Sequence, residues 1–99
     1  MFIINLTYIK PLDEVDTHLE AHIKYLKEQY KEGNFIASGR KIPRNGGVIL
    51  SKLDSKEKLL EVLSQDPFKL VNVANYEIIE FVPSMTLDEF ENLKENVNE

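Results

Sequence analysis

The spacing of apolar side chains divides the chain into alternating extended and helical stretches. Phe2 to Lys10 is rich in β-branched and aromatic residues and stops before Pro11, which has no N–H for a strand ladder, so it reads as a strand. Asp13 offers an N-cap and Asp16 an acidic residue three positions on; Val15, Leu19, Ile23, Leu26 and Tyr30 then recur every three or four residues up to Gly33. That periodicity predicts one amphipathic helix closed by a glycine. Strand character resumes from Asn34 to Ile42, and the turn residues Pro43 to Gly47 lead into a second strand, Val48 to Leu53, making a hairpin. Asp54 with Glu57 opens a second helix whose Leu59, Leu60 and Leu63 face inward and which Pro67 breaks. Phe68 to Val71 adds one helical turn before the last strand, Ala74 to Val82, which Pro83 ends. Thr86 with Glu89 then caps a C-terminal helix over 86–98 with Leu87, Phe90, Leu93 and Val97 on one side.

The order β-α-β-β-α-β with a terminal helix is the split βαβ, or ferredoxin-like, arrangement of an α+β domain. A chain of 99 residues fits one domain, 1–99, with its core over 1–83 and the terminal helix after it. Helices then cover a single face of the sheet. In so short a chain the other face is expected to meet the same face of a second copy, giving a homodimer.

Composition narrows the function classes. The 17 Asp and Glu against 12 Lys and Arg are interspersed rather than blocked, which argues against nucleic acid as a partner. One basic cluster, Arg40-Lys41-Ile42-Pro43-Arg44, is either a solvated loop or an anion contact at a pocket mouth. The absence of cysteine removes disulfides, thiolate nucleophiles and zinc knuckles. Met1 to Leu6 is apolar but too short for a membrane segment and lacks a basic leader, so no membrane partner and a cytoplasmic location are expected. The glycines fit neither the dinucleotide nor the P-loop spacing, and no serine sits in a nucleophile elbow.

The remaining chemistry gathers on one helix flank. At about 100° per residue, His18, His22, Tyr25 and Gln29 fall together, polar but carrying no permanent charge, with His22 nearest the apolar sector. His22 is either a border residue donating to a backbone carbonyl or an acid–base group, since an imidazole exchanges protons near neutral pH. Asp66, before Pro67, is suited to capping a helical turn through backbone N–H groups, and its second oxygen can still hold an imidazole and fix its tautomer. His18 and His22 lie one turn apart, but a zinc site asks for at least three ligands and neither cysteine nor a third histidine is available, so no metal is expected. Ser38-Gly39 combines a hydrogen-bond donor with a close-approach position.

Several segments in this order resemble the YCII-related family: His22 to Leu26 leading to Glu32-Gly33, Ala37-Ser38-Gly39, Gly46-Gly47-Val48, Asp66-Pro67-Phe68, and Tyr76-Glu77-Ile78. The resemblance runs to about Val82. It implies a ferredoxin-like fold paired through its sheets into a dimeric α+β barrel, with a cleft holding His22 and Asp66. It implies proton-transfer chemistry of an isomerase or lyase type without a cofactor; the family includes a dehydrochlorinase of chlorinated hydroxyquinols. Tyr25, Ser38, Gly39, Arg40 and Tyr76 are then expected to line the substrate pocket, with a small acidic or aromatic molecule as ligand. One departure stands out: many relatives follow the glycine of the second strand with proline, whereas this chain has Arg40. A non-catalytic ligand-binding or accessory dimer is the alternative reading of the same cleft.

Overall fold

The computed structural model describes residues 1–95. Four strands form one antiparallel sheet: β1 (Phe2–Tyr8), β2 (Phe35–Arg40), β3 (Gly46–Ser51) and β4 (Ala74–Glu80), in the spatial order β2-β3-β1-β4. Four helical segments join them: α1 (Leu12–Thr17), α2 (Leu19–Lys31), α3 (Lys56–Leu63) and α4 (Pro67–Leu70). This is the ferredoxin-like α+β arrangement, with β2 and β3 as the hairpin.

Alternation along β1 sets the layers. Phe2, Ile4 and Leu6 are buried against the helices, and their cross-strand partners Ser51, Ile49 and Gly47 share that face. Val15, Leu59, Leu63 and Phe68 close on them from the helices to make the core. The opposite face carries Ile3, Leu50 and Ile79 beside a polar chain in which Lys41 Nζ donates to Asn5 Oδ1 at 3.0 Å and to Thr7 Oγ1 at 3.1 Å. No helix among the described residues is long and apolar enough to cross a membrane.

Four local expectations need correction. The first helix starts at Leu12 without a side-chain cap, Pro11 rather than Asp13 standing before it, and it breaks at His18. There the Thr17 hydroxyl bonds back to the Asp13 carbonyl at 3.1 Å, and His18 N–H closes a tight three-residue turn on Val15. The cap of α3 is Ser55, accepting from Lys58 N–H at 3.2 Å; Asp54 instead pairs with the Lys58 ammonium. Leu60 is half-exposed while Leu59 and Leu63 are fully buried, because a helix of this length offers only its i, i+4 stripe to the sheet. In place of the C-terminal helix, Asp88–Leu93 forms two short 3₁₀ turns kinked at Phe90, with no buried residue and no capping by Thr86. Val97 lies outside the described residues.

The buried stripe of α3 has a direct measure in unfolding experiments. Leu63→Ala is expected to lower stability in urea denaturation by about 2–5 kcal/mol, as for other fully buried leucines. Leu60→Ala, on the same helix, is expected to cost under about 1 kcal/mol.

Candidate active site

Helix α2 presents only the border of its apolar stripe to the core, where Leu19 and Leu26 pack partly buried. His22, Tyr25 and Gln29 are buried, at 8%, 8% and 6% exposure, whereas Ile23 and Tyr30 are 42% and 38% exposed. The helix is therefore turned by roughly the angle of one residue, about 100°, from the orientation its hydrophobic periodicity predicts. Each polar group carried inward has a partner. Tyr25 donates to the Val62 carbonyl at 2.7 Å, the Gln29 side-chain oxygen accepts from Asn34 at 2.8 Å, and His22 meets Asp66.

Asp66 is placed by its local sequence. It caps α4 with Pro67 at the first helical position, its Oδ1 accepting from Phe68 N–H at 2.9 Å. The same Oδ1 lies 2.7 Å from His22 Nδ1, and Oδ2 accepts from the Tyr76 hydroxyl of β4 at 2.6 Å. Asp66 itself is completely buried. Because the carboxylate accepts all three bonds, Nδ1 is the donor nitrogen of the imidazole, and the tautomer follows.

A second restraint fixes the imidazole plane. The Phe68 ring stacks on it with centroids 3.9 Å apart and planes 5° apart, and Tyr25 lies at 6.3 Å. Among the described residues, Nδ1 is the only ring nitrogen of His22 with a protein partner, and no unpartnered side-chain nitrogen is closed off from solvent. Nε2 therefore opens on the hollow that His22 lines. This hollow, of about 170 Å³, lies between α2 and the sheet, with Leu6, Leu19, Ile23, Leu26 and Phe68 among its apolar walls.

The residues expected at a ligand divide into two groups. Ser38, Gly39 and Arg40 of β2 line the hollow with His22. Tyr25 and Tyr76 do not; both hydroxyls stand behind the pair, one on Val62 and one on Asp66. Burial pushes both phenols well above the ordinary tyrosine range, and the nearby Asp66 charge adds to the effect in each case. Lys69 lies over the Tyr76 ring, its ammonium 4.9 Å from the centroid. His18 is half-buried at the α1–α2 junction, and no three acidic or imidazole side chains among the described residues converge on a common point. Phe68 is the contributor that periodicity did not single out as part of the site. Its signal was its place directly after Asp66-Pro67, where a capped turn directs the next side chain inward.

Comparison with known proteins bears on the same segment of chain. In overall structure the protein is similar to 5-chloro-2-hydroxyhydroquinone dehydrochlorinase from Burkholderia phenoliruptrix AC1100, solved in complex with 2,5-dihydroxybenzoquinone. The TM-score is 0.67 at 14% identity, over 82% of this chain and 93% of that one. No curated protein sequence matches the chain. A family model of the YCII-related domain matches residues 1–82, which include all four strands and both His22 and Asp66. The chain belongs to the YCII-related family.

Proposed function

We propose that the protein is a small-molecule enzyme in which His22 transfers a proton as general base and then general acid, with Asp66 holding the ring. The observation that carries this reading is the division of labour on one imidazole: Nδ1 is held by a buried carboxylate while Nε2 faces an accessible hollow. A base so placed takes a proton from a bound C–H or O–H group onto Nε2. The resulting imidazolium, stabilised by Asp66, either returns that proton elsewhere on the molecule or keeps it while a leaving group departs and a double bond forms. These are the isomerase and lyase outcomes, and neither requires a cofactor. The similarity to a dehydrochlorinase of a small hydroxylated ring supports the second, and the size of the hollow supports a ligand no larger than about one ring, since an engineered cavity of about 150 Å³ accommodates benzene.

In this reading Tyr76 and Tyr25 are positioning residues rather than ligand contacts. The open face of the sheet, with Ile3, Leu50 and Ile79, supports a homodimer built by pairing two such faces, read out by light scattering of the purified protein.

Incubation with small acidic and aromatic compounds in D₂O, followed by mass spectrometry, reads proton transfer directly as deuterium uptake or loss of a leaving group. The wild-type protein is expected to convert or exchange at least one compound, and His22→Ala to lower that rate by about 10²–10⁴-fold. Conversion at the wild-type rate by the His22→Ala variant removes the histidine from the chemistry. Ligand binding with neither exchange nor conversion leaves a non-catalytic binding protein.

Asp66→Asn keeps a capping oxygen for Phe68 N–H but loses the charge, so it is expected to fold and to lose most turnover. Tyr76→Phe is expected to lower kcat with KM unchanged and to cost about 1–3 kcal/mol of stability, because one carboxylate oxygen loses its donor. A raised KM with kcat preserved instead makes Tyr76 a ligand contact.

The two buried phenols also set an alkaline limit. Their folded-state pKa values lie above the ordinary value of 10.0, so above that pH the unfolded chain releases protons that the folded chain retains. The stability they contribute is complete below pH 10 and declines as pH rises past it. Ultraviolet titration is expected to show Tyr25 and Tyr76 still un-ionised at pH 11 until the protein unfolds.

A further inference from the structure

The three cations of the β2–β3 hairpin end in three different places. Lys41 turns to the open sheet face, where Asn5 and Thr7 accept from it. Arg44 pairs with the Asp16 carboxylate, and its hydrogen bond holds that carboxyl below the ordinary range. Arg40 alone lines the hollow, and it makes no ion pair or side-chain hydrogen bond among the described residues. Its cross-strand partner is Gly47, which places no side chain over the guanidinium.

The charge distribution around the hollow is one-sided. The chain carries a formal net charge of −5, yet among the described residues no Asp or Glu lines this space, and Arg40 is the one permanently charged residue that does. Apolar walls, a single unpaired guanidinium fork and an imidazole Nε2 together fit one chemical class. Arginine binds a carboxylate through two parallel N–H bonds, and it does so more strongly where apolar walls reduce competition from water.

We propose that the hollow binds a small monocarboxylic acid with an apolar body of about one ring, its carboxylate forked on Arg40 and its body against Leu19, Ile23 and Phe68, beside His22. The assignment deepens the proposed function, on which it rests for the role of His22, but it concerns recognition rather than turnover. Arg40 is a specificity-determining residue, and neutral molecules of the same shape are excluded only by the lack of a charge to pair with it.

Benzoate and benzamide are matched probes, alike in size and differing in charge. Each is titrated into the full chain while the His22 and Arg40 side-chain resonances are followed by NMR. Benzoate is expected to shift both residues and to bind about tenfold or more tighter than benzamide, as a charge-assisted pair requires. Arg40→Ala should reduce benzoate to the benzamide level, and Arg40→Lys should restore part of the difference. Arg40 is exposed, so these variants are expected to keep the wild-type spectrum elsewhere.

Equal binding of the two probes, an unchanged benzoate affinity in Arg40→Ala, benzoate binding that leaves His22 unshifted, or no binding of either probe overturns the assignment. The outcomes separate from those of the catalytic reading. A neutral compound turned over through His22 sinks the carboxylate assignment and leaves the proton transfer standing. Arg40-dependent benzoate binding in a protein that exchanges no proton on any compound does the reverse.

Discussion

A buried carboxylate with three donors holds this structure together beside the hollow that His22 lines. Taking Asp66 fully out of water is unfavourable by several kcal/mol unless its lone pairs are used, and here they are, by a helix N–H, an imidazole N–H and a phenol O–H. The three donors come from α4, β4 and α2, the first two close to Asp66 in the chain and the third 44 residues away. One side chain therefore caps a turn, sets the position of a helix and ties both to the edge of the sheet. Removing its charge weakens the hold on the imidazole; removing the side chain leaves three polar groups of three elements without a partner.

The orientation of α2 follows from that carboxylate. Hydrophobic area alone favours packing Leu19, Ile23, Leu26 and Tyr30 on the sheet. The helix turns instead so that His22 reaches Asp66, Tyr25 reaches Val62 and Gln29 reaches Asn34, exchanging apolar burial along one stripe for satisfied polar contacts along the next. Ile23 is thereby turned out of the core, and Leu19 and Leu26, partly buried against its border, form a wall of the hollow with it. The cavity and the held imidazole are two results of the same rotation.

This explains where the sequence was legible. Strand positions, the hairpin, the glycine stop of α2 and the capping role of Asp66 are written in local signals, and each lies within a few residues of the structure that answers it. Gly33 takes a φ of +77°, which only glycine adopts freely, so the helix end was fixed locally. His22 and Asp66 are 44 residues apart, and no periodicity links them; only the resemblance of ordered motifs joined the two before the fold did. Tyr25 and Tyr76 were expected at the ligand because aromatic hydroxyls near a site are ambiguous in sequence. Whether such a hydroxyl faces a cavity or a buried acceptor depends on the turn of its element, which is a tertiary quantity. The helical break at His18 was likewise hidden, since Thr17 competing for a backbone carbonyl is a weak local effect that tertiary packing decides.

The hollow also depends on a gradient of side-chain size along the sheet. Near Phe2, Phe35, Ile49 and Ser51 the gap between sheet and helices is filled by large apolar groups from both layers, as close packing demands. Toward the other end of the hairpin, the residues paired in register are Gly39 with Val48 and Arg40 with Gly47, and Gly47 in turn faces Leu6. A glycine on the helix-covered face contributes nothing to fill the layer. At Gly46 no side chain is tolerated at all, since a Cβ would lie 1.8 Å from the Leu6 carbonyl oxygen. The hairpin thus lies close against β1 where it is thin, and the helix above it is held at the height that His22 and Asp66 set. Space remains between the two, and it remains where His22 and Arg40 both line it.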